Sequence, residues 1–185
     1  MKESTLEKLK YPIGHFVVPD TITDTLLADW IAKLEALPVV LEDLVKELNE
    51  EQLDTPYRPG GWTVRQVVHH LADSHHNSYI RFKWALTEDT PLIKAYNEKA
   101  WAELFDTRTA PVYLSLNHLK AVHAKLVYLL KGLPGDALER KFVHPEGHSE
   151  TTLAENVGRY AWHGSHHYMH IKRLLEREGW TDSST

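Results

Sequence analysis

Trp62-Thr63-Val64-Arg65-Gln66-Val67-Val68-His69-His70-Leu71-Ala72-Asp73-Ser74-His75-His76 holds a helix start and a set of metal-seeking side chains in one run. Thr63 followed three residues later by Gln66 is a capping box: the threonine oxygen accepts from the Gln66 amide, and the glutamine side chain returns a bond to the Thr63 amide. Val64, Val67, Val68 and Leu71 then recur at helical spacing, and the pattern continues through Phe82 to about Leu86. On the helical wheel His75 falls nearest the middle of this apolar stripe and His70 at its edge, while His69 and His76 lie on the far side.

Working outward, Thr152-Leu153-Ala154-Glu155 is a second capping box, opening a helix that runs to Glu178 and stops at Gly179, a natural C-cap. Two further segments carry the helical period. One spans Thr23 to Asn49, where Pro38 is expected to kink or divide the helix. The other spans Pro111 to Lys131 and ends at the breaker Gly132-Leu133-Pro134-Gly135. A short helix is expected around Asn97 to Leu104, Asp54 to Gly61 reads as a structured connection, and residues 141–150 read as a loop, with almost no β-type alternation anywhere. Four long amphipathic helices predict an all-α four-helix bundle. One domain is expected over residues 1–185, with an N-terminal extension over about residues 1–20 and a frayed tail at 181–185.

Hydrophobic residues at 42% and charged residues at 25% are the balance of an ordinary soluble domain. The chain has no cysteine, which excludes disulfides, thiolate metal ligands, iron–sulfur clusters and a cysteine nucleophile; any metal must be held by nitrogen and oxygen. A net charge of −5 without a Lys/Arg cluster speaks against nucleic acid as a partner. No signal-like run occurs near Met1 to Tyr11, and no stretch approaches the roughly 18 apolar residues of a membrane span, so a cytoplasmic setting with no membrane partner is expected.

The anomaly is histidine. Of 13, four lie within residues 69–76 and four within 163–170. Residues four apart share a helix face, so His163 and His167 form one candidate pair and His166 and His170 another. Measured against the stripe of Leu153, Val157, Tyr160, Ala161, Tyr168, Ile171 and Leu175, the pair His163 and His167 borders the core, and the pair His166 and His170 faces outward. A third ligand must come from the second long helix, where periodicity leaves His70 and His75 both open. Three imidazoles suit Zn²⁺, Ni²⁺, Fe²⁺, Co²⁺ or Mn²⁺. They also leave a coordination position for water, as catalytic sites do. The pattern is not His-Glu-x-x-His, because Gly164 stands where the glutamate would be. Asp73, Ser74 and Asn77 follow on roughly the face of His70 and are candidates to orient a ligand. His15, His118, His123, His144 and His148 read as ordinary core or surface histidines, and Trp30, Trp62, Trp84, Trp101 and Trp162 as core or interface anchors.

The run Leu53-Asp54-Thr55-Pro56-Tyr57-Arg58, then Gly60-Gly61-Trp62 through His75, resembles the DinB-like metal-binding four-helix bundles, specifically the YfiT-type branch of metal-dependent hydrolases. The likeness extends from Tyr11-Pro12-Ile13-Gly14 to Gly179-Trp180. It implies that the histidine before Leu71-Ala72-Asp73, His70, is the ligand on the second long helix, joined by His163 and His167. It also implies one divalent metal per chain, zinc or nickel, and a homodimer. The implied activity is hydrolysis of a small molecule by metal-activated water. A related branch implies instead a thiol S-transferase using a low-molecular-weight thiol of the bacillithiol type, and a third reading is a metal-binding stress protein without turnover. No carboxylate stands out as general acid or base.

Overall fold

In the computed structural model, which describes residues 3–180, the capping boxes start helices where the sequence places them. Chain order is α1 (Glu3–Lys10), α2 (Asp24–Val45), α3 (Glu50–Leu53), α4 (Val64–Thr87), α5 (Glu98–Ala102), α6 (Phe105–Thr109), α7 (Val112–Gly132), a 3-10 turn (Gly135–Glu139), β1 (Lys141–His144), β2 (Ser149–Thr152) and α8 (Leu153–Glu178). Thr63 Oγ1 accepts from the Gln66 amide at 3.2 Å while Gln66 Oε1 accepts from the Thr63 amide at 2.9 Å. Thr152 and Glu155 repeat the exchange at 3.1 and 2.8 Å. Gly179 ends α8 in the left-handed conformation, φ +70°, which a side chain would disfavour. The expected tail at 181–185 lies outside the described residues.

The four long helices make a four-helix bundle in which α2 packs against α7 and α8, and α4 packs against the same two. Consecutive long helices α2 and α4 therefore sit on a diagonal, as do α7 and α8. The core falls into two clusters. One contains Trp30, Leu34, Phe82, Leu126, Leu153 and Val157; the other contains Leu41, Val67, Leu71, Leu119, Ile171 and Leu174. Along α8 the first cluster ends at Ala161 and the second begins at Ile171, and the stretch between them carries four histidines. Two glycines let α2 and α8 approach closely. A Cβ on Gly158 would lie 2.6 Å from the Trp30 ring, and one on Gly164 would collide with Leu37 Cδ2. Gly164, which breaks the zincin pattern, is thus a packing residue.

Several expectations change. α2 runs unbroken through Pro38, so the proline does not divide it. Residues 141–152 form a hairpin rather than a loop, with Lys141 opposite Thr152 and His144 opposite Ser149. Strands of four residues are too short to show alternation; β1 is also held from its other side, where Val143 exchanges backbone bonds with Pro91 and Ile93 at 2.9 and 3.0 Å. The N-terminal extension contains a helix, α1, and α3 and α6 are added short helices. No helix among the described residues is long and apolar enough to cross a membrane.

Candidate metal centre

α4 and α8 bring His70, His163 and His167 together, with one potential ligand atom from each lying within 4.8 Å of the others. His70 Nε2 and His163 Nε2 are 3.2 Å apart. What those nitrogens carry follows from the bonds made on their far sides.

Pro38 has no N–H, so the carbonyl four residues earlier, Leu34 O, lacks its helical donor. His123 Nδ1 occupies that vacancy, and because a carbonyl only accepts, the proton must be on His123 Nδ1. Its unprotonated Nε2 then accepts from His75 Nδ1 at 2.8 Å, and His75 Nε2 accepts in turn from His163 Nδ1 at 3.1 Å. With three neutral rings this leaves a lone pair on His163 Nε2, facing His70. A shorter chain acts on His167. His170 Nε2 donates to Lys10 O at 2.9 Å, so His170 Nδ1 accepts from His167 Nδ1 at 3.3 Å, and His167 Nε2 is likewise left with a lone pair. Both histidines from α8 are therefore locked in the tautomer that a metal at Nε2 requires, through other histidines that end on backbone carbonyls.

Burial keeps the cluster neutral. It pushes His70 down to about 4, and it drives His163, His167 and His75 well below the ordinary imidazole range, with repulsion from neighbouring histidines adding to the effect. His123 is pushed to about 4 by burial, against which the bond to Leu34 O acts weakly. Neutral imidazole is the form that ligates metal. Three neutral imidazoles with one potential ligand atom each within 4.8 Å of the others, and no carboxylate among them, are a donor set that fits a divalent transition ion.

The other expected pair, His166 and His170, does not face outward; the two residues are 7% and 3% exposed. The wheel counts only α8's own apolar residues, whereas this face is covered by the N-terminal segment and by Tyr57, which stacks on His170 at 4.0 Å. His69 is also buried, donating to Ala110 O and accepting from Ser115. The rival residue His75 is fully buried, as its place in the stripe suggests, and acts as a partner of His163. Asn77 bonds to Asp73 O on its own helix, so the orienting partners of His163 and His167 are histidines rather than Asp73, Ser74 or Asn77. His123 is a core histidine as expected, yet its bond to His75 makes it part of the site; no spacing could show this, because the contact joins α7 to α4 and α2. Trp62 packs against the second core cluster, as expected, and also lies over His70 at 4.7 Å and His167 at 6.3 Å.

The three histidines line a cleft of about 720 Å³ together with Tyr11, Arg58, Trp62 and Lys99. Residues 33–171 match the model of the DinB superfamily. The chain belongs to the DinB superfamily. Among its DinB-superfamily relatives, a protein of Oceanobacillus iheyensis named "Putative metal-dependent hydrolase" is 51% identical over 171 residues, which cover 92% of this chain and 98% of that one. One of the same name from Bacillus mycoides is 53% identical over 175 residues, covering 95% and 100%. A solved structure, YfiT from Bacillus subtilis, described as "a probable metal-dependent hydrolase with an unusual four-helix bundle topology", superposes with a TM-score of 0.92 at 48% identity, covering 94% and 99%.

Proposed function

We propose that this DinB-superfamily protein is a metal-dependent hydrolase of a small molecule, with His70, His163 and His167 as the ligands of one divalent ion. The observation that carries the reading is the convergence of imidazole nitrogens, 3.2 Å apart at His70 and His163, on a cleft open to small molecules. The names of its close relatives support it. Once bound, the ion supplies a Lewis acid and lowers the pKa of a coordinated water towards about 7. The chain does the rest. His70, His163 and His167 hold the ion; His75, His123 and His170 keep the Nδ1 protons in place and fix the ring planes; Trp62 shields the ligand edges from bulk water.

Zinc or nickel as the ion, a homodimer and a cytoplasmic setting belong to the same proposal. The test is metal analysis of the purified protein, followed by ester and amide turnover with and without a chelator. His70→Ala should lose the ion and turnover together. Metal-dependent consumption of a low-molecular-weight thiol and an electrophile, without hydrolysis, would replace the hydrolase reading with thiol transfer. A full equivalent of tightly bound metal in His70→Ala would move the site elsewhere.

A further inference from the structure

Beside the metal-centre cleft lies a second cleft, of about 650 Å³; His163, Trp162, Glu98 and Lys99 line both. Its inner wall carries Arg81, which is 8% exposed. Among the described residues this guanidinium has no carboxylate partner, and its one hydrogen bond is from Nη1 to the neutral Tyr160 hydroxyl at 3.2 Å. Arg81 Nε is buried and makes no hydrogen bond among the described residues.

A buried cation without a counter-charge is costly, because desolvation is not offset by attraction or by full hydrogen bonding. An oxyanion entering the cleft would supply both the missing charge and the missing acceptors. The same cleft is lined by one more buried donor: Trp162 Nε1 makes no hydrogen bond among the described residues. Arg159 and Lys99 add positive charge at the exposed edge, where Glu98 and Glu146 are the only lining carboxylates among the described residues. Two buried donors, Arg81 Nε and Trp162 Nε1, therefore face this cleft without an acceptor among the described residues. A guanidinium fork matches an oxyanion in two-point geometry.

We propose that Arg81 receives the oxyanion group, carboxylate or phosphate, of a small organic substrate whose reacting end lies at the metal centre. Tyr160 holds Arg81 in place, and Tyr160 in turn packs 5.5 Å from the His163 ring, so the anion site and the metal centre share a wall. The substrate class is then a small organic anion. This deepens the hydrolase reading and rests on it for the reacting end alone; the anion site is testable without turnover.

The experiment titrates acetate and inorganic phosphate separately into the full-length protein freed of metal with chelator, following chemical shifts of the Arg81 Nε–H and Trp162 Nε1–H. Saturable shifts are expected with at least one of the two anions, and which one binds tells carboxylate from phosphate. Arg81→Met should weaken that binding at least tenfold, Arg81→Lys should retain part of it, and His70→Ala should bind as the parent does. Absence of any saturable shift in the parent, or equal affinity in a folded Arg81→Met, overturns the proposal. If turnover is established, paired esters with and without a distal carboxylate or phosphate should differ at least tenfold in kcat/KM, chiefly through KM. Arg81→Met should erase that preference; a preference that survives the substitution overturns the assignment of Arg81. Loss of turnover in the parent with anion binding intact would overturn the hydrolase reading and leave the anion site standing.

Discussion

α4 carries two buried arginines, and they are treated in opposite ways. Arg65, 2% exposed at the start of the helix, donates to Asp54 at 2.7 Å, to Glu50 at 2.6 Å and to Ala110 O at 3.1 Å. Arg81, further along the helix, has a tyrosine hydroxyl and, among the described residues, no carboxylate. The first is closed: its donors tie α3, the residue after it and the residue after α6 to the helix. The second is open towards a cleft. Between them His75 is closed in a third manner, neutral and bonded on both ring nitrogens to other histidines. Closed positions should hold the fold together, and an open position should cost the fold little when removed.

The largest effect on stability should come from the closed arginine. Arg65→Met removes three bonds and leaves two carboxylates without their cation, so unfolding free energy should fall by about 2–4 kcal/mol in denaturant titration. Arg81→Met relieves an uncompensated buried charge, and stability should stay within about 1 kcal/mol of the parent or rise. Equal losses in the two variants would break the distinction between them.

The relay gives a pH-dependent version of the same contrast. His123 has a folded pKa of about 4, below its unfolded value of about 6.5. A depressed folded value means that the unfolded chain takes up the proton first. The contribution is thus fully present above about pH 6.5 and is lost progressively as pH falls towards 4, on the order of 3 kcal/mol at the end of that window. In His123→Gln the slope of stability against pH between 6.5 and 4 should flatten by about one proton relative to the parent, both measured without metal. The same variant, with the tautomer of His163 no longer enforced, should bind zinc about 10–100-fold more weakly at pH 7.5 in a competition titration. Unchanged affinity would reduce the relay to core packing.

Gly164→Ala tests how the histidines on α8 are positioned. The added methyl meets Leu37, so about 1–3 kcal/mol of stability should be lost through overpacking. Leu37→Ala in the same chain should recover part of it. A comparably small effect on stability should follow His70→Ala, about 1 kcal/mol or less without metal, set against a collapse of metal affinity.

Much of this molecule is written locally. The caps at Thr63 and Thr152, the stop at Gly179 and the spacing of Leu71, Phe82, Val157 and Ile171 are properties of single helices, because hydrogen bonds to the next turn and apolar faces of period 3.6 depend on near neighbours alone. They were enough to predict an all-α bundle, and the resemblance singled out His70 where periodicity left His75 as its rival. The hairpin at 141–152 escaped because four-residue strands carry no period and gain their support from Pro91 and Ile93.

What tertiary structure decided is which groups complete one another across helices. Pro38 reads in sequence as a helix breaker; in the bundle it frees the Leu34 carbonyl for His123 on α7, and through His75 on α4 that bond sets the proton on His163 of α8. His166 and His170 read as outward-facing until the N-terminal segment and Tyr57 are folded over them. Arg65 and Arg81 are the same residue on the same helix, and only the arrival of Glu50 and Asp54 beside one and not the other makes the first a structural tie and the second an open cation. Helix formation obeys short-range periodicity, whereas the pairing of a buried polar atom depends on whichever distant segment reaches it, and that is settled only when the helices pack.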